Sequence, residues 1–263
     1  MTAGALLELA VERLASTPRL LVASDFDGTL APLVAVPSDA RILESSAWAL
    51  ARLAACPRTV VAVVTGRDLA MLDQVCPPLP GVMRIGSYGA QWPGRETPVI
   101  PDEQAVLDRL ATELAPLVAE APGSFVERKA VSVALNVRLA EAAAAASALQ
   151  RADAIAARHA KLTRHVGKGV VEFSMRTGRK GDVVESLRIE CGATLAVATG
   201  DDEPDLEMFD RLSVPDIRVL VASSGVEASG PGVITVHSPM ELGEWLLQLA
   251  DRREAATAGS DQA

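Results

Sequence analysis

Aromatic residues are scarce in this chain of 263 residues: they make up 3% of it, although 49% of the residues are hydrophobic. The interior must therefore be built mainly from Ala, Val and Leu. Basic residues are also in short supply, since 25 Lys and Arg stand against 34 Asp and Glu, for a net charge of −9. Because nucleic acids are bound through basic surfaces, this balance argues against nucleic acid as the main partner. An anionic small molecule is still allowed, because one local basic pocket is enough to bind it.

Cysteine is nearly absent, with three residues in the whole chain. Cys56, Cys76 and Cys191 are far apart, so neither a disulfide framework nor a zinc motif is indicated. We interpret them as free thiols, which favours the reducing cytoplasm.

The first twenty residues carry Glu8 and Glu12 and are typical of an amphipathic helix rather than a signal peptide. No apolar run approaches the roughly 20 residues of a membrane span, so no membrane partner is expected.

Three continuous apolar runs predict buried strands at 20–24, 59–64 and 194–199. Continuous rather than alternating runs are typical of a parallel sheet that helices cover on both faces. Further helices and strands are predicted between or after these runs, at 40–55, 180–190, 217–222, 233–236 and 239–250. This alternation predicts a doubly wound α/β fold. Residues 252–263 are expected to form a frayed polar tail.

The middle of the chain predicts a separate small α+β domain at 97–175, inserted into a core formed by 1–96 and 176–263. Its predicted elements are a helix at 104–120, a strand-like stretch at 124–140, an Ala-rich helix at 141–160, and short strands at 162–166 and 170–174. In VSVALNVR the residues alternate between small or polar and large apolar, which suits a half-exposed antiparallel strand.

Polar motifs follow the three buried strands: DFDGT at 25–29, TGR at 65–67 and GDD at 200–202. In open α/β sheets, ligands bind outside the carboxyl ends of the strands. We therefore expect Asp25, Asp27, Asp201 and Asp202 to lie close together. Such carboxylates repel one another, and a hard cation such as Mg²⁺ removes the conflict.

The predicted Mg²⁺ in turn suggests a phosphate ligand, because Mg²⁺ commonly binds carboxylates together with substrate phosphate. Lys180 and Thr65 are candidate phosphate donors. Taken singly, two of the motifs have a simpler interpretation: DFDGT as a turn, and GDD as the cap of a helix beginning near Pro204. TGR alone is a weak signal. Their occurrence together, each after a buried strand, favours a catalytic site.

Four segments resemble the motifs of the haloacid-dehalogenase superfamily of phosphatases: DFDGT, VVTGR, Lys180 in GRKGD, and GDDEPD. The resemblance covers nearly the whole chain. It includes the position of the insert between the second and third motifs, which implies a HAD-like core with a C2-type cap.

Within that superfamily the chain resembles trehalose-6-phosphate phosphatases in three segments: GSYGAQ (86–91), VERKAVSVALNVR (126–138) and GKGVVEFSMRTGRKG (167–181). The resemblance implies that the cap residues Glu127, Lys129, Arg138 and Glu172 contact the sugar hydroxyls. The chain departs from the family pattern at three positions: Asn136, Gln91 and Pro204.

The resemblance implies a two-step phosphoryl transfer. Asp25 would attack phosphorus and form an aspartyl-phosphate. Asp27 would protonate the leaving sugar oxygen and then activate the hydrolytic water. Thr65 and Lys180 would stabilise charge on the phosphoryl oxygens.

The expected Mg²⁺ ligands are Asp25, the backbone carbonyl of Asp27, and Asp201, supported by Asp202. Asp205 is expected to order the water around the metal. The second motif also implies substrate contacts from Gly66 and Arg67.

The function predicted from these features is hydrolysis of trehalose 6-phosphate to trehalose and phosphate, the last step of trehalose biosynthesis. A phosphatase or phosphomutase for another sugar phosphate is an alternative. A phospho-acceptor signalling domain is a second one, although such domains lack a cap and the DxDGT pair. An inactive sugar-phosphate-binding homologue is the third, and intact Asp25 and Asp27 argue against it.

Overall fold

The structure is a computed structural model, and it describes residues 3–95, 99–159, 161–222 and 232–258. The chain divides into two compact units. The core unit comprises Met1–Pro93 and Arg179–Ala263, and the insert unit comprises Gly94–Gly178. The insert predicted at 97–175 falls within the second unit.

The elements alternate in the core unit and change pattern in the insert unit. The strands, in chain order, are β1 (Leu20–Ser24), β2 (Thr59–Val64), β3 (Val82–Ile85), β4 (Phe125–Arg128), β5 (Ser132–Asn136), β6 (Thr163–Gly167), β7 (Val170–Ser174), β8 (Leu195–Gly200), β9 (Ile217–Val221) and β10 (Val233–Val236). The α-helices are α1 (Ala3–Ser16), α2 (Glu44–Ala55), α3 (Leu69–Val75), α4 (Pro101–Glu120), α5 (Ala142–Ala156), α6 (Lys180–Cys191), α7 (Glu203–Asp210) and α8 (Pro239–Ala258). Within the described ranges, none of the helices combines the length and apolar content needed to cross a bilayer.

The core unit contains a parallel sheet of six strands in the order β10-β9-β8-β1-β2-β3. Strand β1 lies between β2 and β8, with Leu20 paired to Thr59 on one side and to Leu195 on the other. Because the strands are parallel, their carboxyl ends lie along one edge of the sheet. The segments that follow β1, β2 and β8 therefore meet there, and the predicted doubly wound α/β fold is confirmed.

Alternate residues of each central strand pack into apolar clusters on opposite faces of the sheet. Val22 belongs to the cluster that includes residues of α1, α2 and α8. Leu21 and Ala23 belong to the cluster that includes residues of α6 and α7. Both faces are therefore buried, which explains why the sequences of these strands are continuous apolar runs.

The insert unit contains an antiparallel sheet of four strands in the order β4-β5-β7-β6. One face packs on α4 and α5 through residues such as Val133, Leu135 and Phe173. The register places Glu127, Ala134, Glu172 and His165 in one row across the four strands. Because side chains alternate along a strand, this row lies on the opposite face from Val133 and Phe173.

The predicted frayed tail is wrong for the described part of 252–263, because α8 continues to Ala258. Arg253 is only 2% exposed. Its guanidinium donates to the carbonyl of Ala15 at 3.0 Å and to the hydroxyl of Thr59 at 3.1 Å. This buried cation ties α8 to the end of α1 and the start of β2, a role that a polar sequence does not reveal.

Candidate active site

A buried ion pair between Asp25 and Lys180 lies at the carboxyl end of β1. Asp25 follows the strand directly, and its N–H donates to the carbonyl of Thr199 on β8 at 2.9 Å. Lys180 is the first residue of α6, and its Nζ donates to Asp25 Oδ1 at 2.5 Å and to Asp205 Oδ1 at 2.7 Å. Asp25 and Lys180 are 5% and 4% exposed. The central strand and the lysine thus fix the position of the Asp25 carboxylate.

Asp205, in the first turn of α7, organises the loop that follows β8. Its Oδ2 accepts from the N–H groups of Asp201 and Asp202, at 2.9 and 3.0 Å. The carboxylate of Asp202 accepts from the N–H of Glu203 at 2.8 Å and caps the helix. Asp205 therefore connects the loop to Lys180, while Asp202 serves the helix terminus.

Asp201 lies beside Asp25 and Asp205, and carboxylate oxygens of the three residues lie within 4.8 Å of one another. We call this set the carboxylate cluster. The hydroxyl of Thr29 donates to Asp201 Oδ1 at 3.1 Å. Gly28 has a φ of +84°, and a Cβ there would stand 2.5 Å from Asp201 Cγ. Glycine at position 28 therefore allows the DFDGT turn to approach the cluster closely.

The carboxylate cluster has an excess of negative charge. Burial, together with repulsion from Asp205 and Asp201, raises the pKa of Asp25 well above its usual range, although Lys180 opposes the shift. Burial acts to lower the pKa of Lys180, but the charges of Asp205 and Asp25 outweigh it and raise that pKa. Three carboxylates around one ammonium provide the oxygen ligands that a divalent cation prefers, so these residues fit a Mg²⁺ site.

The carboxylate of Asp27 is directed toward Arg67. Arg67 donates from Nε to Asp27 Oδ2 at 2.6 Å and from Nη2 to Oδ1 at 2.7 Å. Nη2 also donates to the carbonyl of Pro37 at 2.8 Å, and the guanidinium lies 5.6 Å from the ring centre of Phe26. Such a bidentate pair fixes the orientation of both side chains. Four aspartates were predicted to gather around a metal: Asp25, Asp27, Asp201 and Asp202. The structure brings Asp25 and Asp201 together with Asp205. The side chain of Asp27 pairs with Arg67 instead, and that of Asp202 caps α7.

The turn formed by Thr65, Gly66 and Arg67 is braced by the segment 86–91. Thr65 is 1% exposed, and its Oγ1 accepts from the N–H of Arg67 at 3.1 Å. The N–H of Ser87 donates to the carbonyl of Arg67 at 2.7 Å, and that of Tyr88 to the carbonyl of Thr65 at 2.9 Å. The second predicted motif thus stands on a turn that is fixed from both sides.

The predicted sugar-contacting residues lie in the insert unit. Glu172 is 2% exposed and accepts from Lys129 Nζ at 2.5 Å and from the hydroxyl of Ser132 at 2.6 Å. Glu127 lies in the same row of the sheet as Glu172. Arg138 follows β5, and its Nε donates to the carbonyl of Lys168 in the β6–β7 turn at 2.9 Å. Glu127, Lys129 and Glu172 thus share one face, while Arg138 packs on the neighbouring turn.

A model of the family "Trehalose-phosphatase" matches residues 23–230, most of the chain. The chain belongs to the trehalose-phosphatase family. The resemblance that the sequence motifs indicate is thereby confirmed. The matched range contains all the motif residues described above.

Two relatives have names that describe a phosphatase of trehalose phosphate. A trehalose-phosphate phosphatase of Mycobacterium avium is 32% identical over 252 residues, covering 88% of this chain and 62% of the relative. A bifunctional trehalose-6-phosphate synthase/phosphatase of Thermoproteus tenax is 33% identical over 222 residues, covering 77% of this chain and 29% of the relative. The chain thus spans about three fifths of the length of the mycobacterial relative, and less of the bifunctional one.

The C-terminal domain of a C. albicans trehalose-6-phosphate phosphatase superimposes with a TM-score of 0.76 at 20% identity, over 95% of this chain and 97% of that one. A sucrose-phosphatase from Synechocystis sp. PCC6803, solved with sucrose and phosphate, gives a TM-score of 0.52 at 13% identity, over 88% and 98% of the chains. These similarities show that the chain shares its fold with both of these structures.

The three departures from the trehalose-phosphatase pattern occupy sites that accept them. Gln91 Oε1 accepts from the N–H of Leu69 at 2.8 Å, a bond that needs only a carbonyl-type oxygen. Pro204 lies in the first turn of α7, where the helix needs no N–H from it. Asn136 is 3% exposed and accepts from the N–H of Arg138 at 3.2 Å. Each side chain therefore fits its local structure.

Proposed function

We propose that the chain is a Mg²⁺-dependent phosphatase that hydrolyses trehalose 6-phosphate to trehalose and phosphate, the last step of trehalose biosynthesis. Membership of the trehalose-phosphatase family and the names of the relatives support this substrate. The observation that carries the reaction class is the buried Asp25 carboxylate, held by Lys180 beside two further carboxylates at the carboxyl edge of the sheet. Three free cysteines suit the cytoplasmic location that we propose with it.

We propose that Asp25, Asp201 and Asp205 surround the Mg²⁺, with the backbone carbonyl of Asp27 and the Asp202 side chain in support. The ion would neutralise the repulsion between the anionic nucleophile and the phosphate dianion. A buried cluster of carboxylates with one ammonium favours this role over a purely structural one.

The chain's own residues then perform two displacements. In the first, an oxygen of Asp25 bonds to phosphorus, the bond from phosphorus to the sugar oxygen breaks, and Asp27 gives that oxygen a proton. In the second, water attacks phosphorus, Asp27 accepts the water's proton, and the bond to Asp25 breaks. Thr65 and Lys180 donate to the phosphoryl oxygens throughout, because charge accumulates there in the transition state.

Arg67 holds the acid–base residue as an ion pair in this structure, and this pair must open before Asp27 can carry a proton to the sugar oxygen. Its bidentate bond to Asp27 fixes the carboxylate two residues beyond the nucleophile. Two residues of separation at the end of a strand can bring Asp25 and Asp27 to opposite sides of one phosphorus–oxygen bond. Gly66 has no side chain, and the Tyr88 ring occupies the position that a Cβ at residue 66 would take.

The insert unit would supply the contacts to the sugar. Glu127, Lys129 and Glu172 present charged groups on one face of its sheet, and Arg138 lies at the adjacent turn. Several hydroxyls on a disaccharide need several donors and acceptors, which a face of this kind provides. We propose that these residues contact trehalose 6-phosphate.

A phosphate-release screen tests the proposed function. Trehalose 6-phosphate, sucrose 6-phosphate, glucose 6-phosphate and p-nitrophenyl phosphate are compared at equal concentration, with Mg²⁺ and with EDTA. We expect the highest kcat/KM for trehalose 6-phosphate and no release in EDTA. Faster turnover of another sugar phosphate would show that trehalose 6-phosphate is not the preferred substrate. Full activity in EDTA would contradict the proposed Mg²⁺ requirement. A phospho-acceptor domain would retain the phosphoryl group instead of releasing it repeatedly.

A further inference from the structure

The single tyrosine of the chain, Tyr88, lies in the candidate active site. It is 8% exposed, and Lys180 Nζ lies 5.9 Å from the centre of its ring, within the range of cation–π attraction. The tip of the ring lies against Gly66: a Cβ on residue 66 would stand 2.6 Å from Tyr88 Cζ and 2.7 Å from its hydroxyl oxygen. Tyr88 therefore contacts the turn that carries Thr65 and flanks the ammonium that holds Asp25.

The backbone at Tyr88 is strained. Ser87 and Tyr88 have φ values of +49° and +58°, so two successive non-glycine residues adopt the left-handed conformation. This conformation is unfavourable for a residue with an L side chain. Hydrogen bonds from their N–H groups to the carbonyls of Arg67 and Thr65 hold it in place. Strain that the surroundings enforce in this way is concentrated at functional sites.

We propose that Tyr88 is a positioning residue for phosphoryl transfer. Its ring supports Gly66 on one side and flanks Lys180 on the other, so that the donors of residues 65 and 180 keep their places. This inference rests on the proposed phosphatase function. A donor displaced by about 1 Å can cost about 100-fold in rate, so loss of the supporting ring should appear in kcat.

The first test compares Tyr88→Leu, which removes the ring, with Tyr88→Phe, which keeps it. We expect Tyr88→Leu to lower kcat at least about tenfold on both trehalose 6-phosphate and p-nitrophenyl phosphate, with a smaller change in KM. Tyr88→Phe should recover most of that loss. Trp245→Leu is the matched control, because it removes a buried ring from α8, away from the candidate site. A kcat for Tyr88→Leu equal to that of Trp245→Leu would overturn the proposal.

The second test uses Gly66→Ala, whose Cβ would collide with the Tyr88 ring. If this variant acts by displacing the ring, it should lower kcat much less in a Tyr88→Leu background than in the wild type. Equal losses in both backgrounds would contradict the proposed support of Gly66 by the ring.

The third test uses the wild-type chain labelled with fluorotyrosine, which gives one fluorine NMR resonance because there is one tyrosine. Orthovanadate with Mg²⁺ should shift that resonance. An unchanged resonance while vanadate inhibits turnover would refute the position of Tyr88 at the phosphoryl site. A wild-type chain that releases no phosphate from any tested ester would instead refute the proposed function, and the role of Tyr88 with it.

Discussion

Replacing Gly28 by alanine should disable the candidate site without unfolding the protein. Gly28 has a φ of +84°, and the added Cβ would stand 2.5 Å from Asp201 Cγ and 2.7 Å from Oδ1. The nearest atom to this Cβ is Oδ2 of Asp201, closer than Cγ. Ordinary contacts between such atoms begin near 3.5 Å, so the Asp201 carboxylate must move by more than about 1 Å. Asp201 belongs to the carboxylate cluster, so this movement would disturb the proposed metal ligands directly.

The expected losses follow from two separate terms. An L side chain in the left-handed region costs roughly 1–2 kcal/mol of stability, which lowers Tm by about 2–8 °C in a unit of this size. Displacing a ligand by about 1 Å should lower kcat by about 100-fold, equivalent to about 2.7 kcal/mol of transition-state stabilisation. The Mg²⁺ concentration needed for half-maximal activity should also rise.

Gly192→Ala is the matched control for the stability cost of an L side chain in the left-handed conformation. Gly192 has a φ of +60° at the end of α6, and its Cβ would meet first the Nη1 atom of Arg19, at 2.9 Å. The flexible end of that side chain can move away. Gly192 precedes β8 and so lies toward the opposite edge of the sheet from the carboxylate cluster. This variant should lose similar stability and keep its kcat.

Two assays are needed. Phosphate release from trehalose 6-phosphate over a range of Mg²⁺ concentrations measures the loss of activity, and thermal denaturation measures the loss of stability. The reasoning fails if Gly28→Ala keeps the kcat and the metal dependence of Gly192→Ala. It also fails if Gly28→Ala does not fold while Gly192→Ala does, because the added cost at residue 28 is expected in the site rather than in the core.

Three further predictions concern other contacts. Asp205→Asn should lower kcat by about 100-fold or more, because it weakens the support of Lys180; a kinetic assay showing wild-type kcat would contradict it. Glu127→Ala should reduce kcat/KM for trehalose 6-phosphate by about 10- to 100-fold and leave p-nitrophenyl phosphate nearly unchanged; equal losses on both would indicate a structural role. Lys129→Met should cost about 3–5 kcal/mol in thermal or urea unfolding, because Glu172 is left buried without its cation, and Lys129→Met/Glu172→Gln should recover part of this; an unchanged Tm in the single variant would refute it.

Sequence patterns predict the core sheet well where strands are buried on both faces. The strands predicted at 20–24 and 59–64 have the same bounds in the structure, and the one predicted at 194–199 is found as Leu195–Gly200. Strand β3 was not predicted, because VMRI is short, half-buried and interrupted by Arg84. The strand-like stretch at 124–140 is two paired strands, β4 and β5, with a turn at 129–131 that no Gly or Pro marks.

The candidate site is predictable in its location and less so in its contacts. Motifs after parallel strands must meet at one edge of the sheet, so the proximity of Asp25 and Asp201 follows from topology. Lys180 begins α6 after the insert unit, and this rule does not cover it. The choice between Asp202 and Asp205 depends on backbone direction at the start of α7, where one carboxylate caps the helix and the other turns toward Lys180. Spacing alone does not decide between two aspartates three residues apart.

Contacts between distant segments leave no local pattern at all. Thr29 donates to Asp201, 172 residues away, and Tyr88 lies against Gly66 because of an unusual backbone conformation. The bond from Arg67 to Asp27 likewise spans 40 residues. A three-dimensional structure is needed to find these partners, although the residues themselves stand in recognisable motifs.

Chemical trapping of the phosphorylated nucleophile tests the central claim most directly. Wild-type protein is mixed with trehalose 6-phosphate and Mg²⁺, quenched during turnover, and treated with borohydride, which reduces an acyl phosphate on aspartate to homoserine. Peptide mass spectrometry should then find homoserine at position 25, and none without substrate. Turnover with no modification at residue 25, or modification at another aspartate instead, would contradict the account.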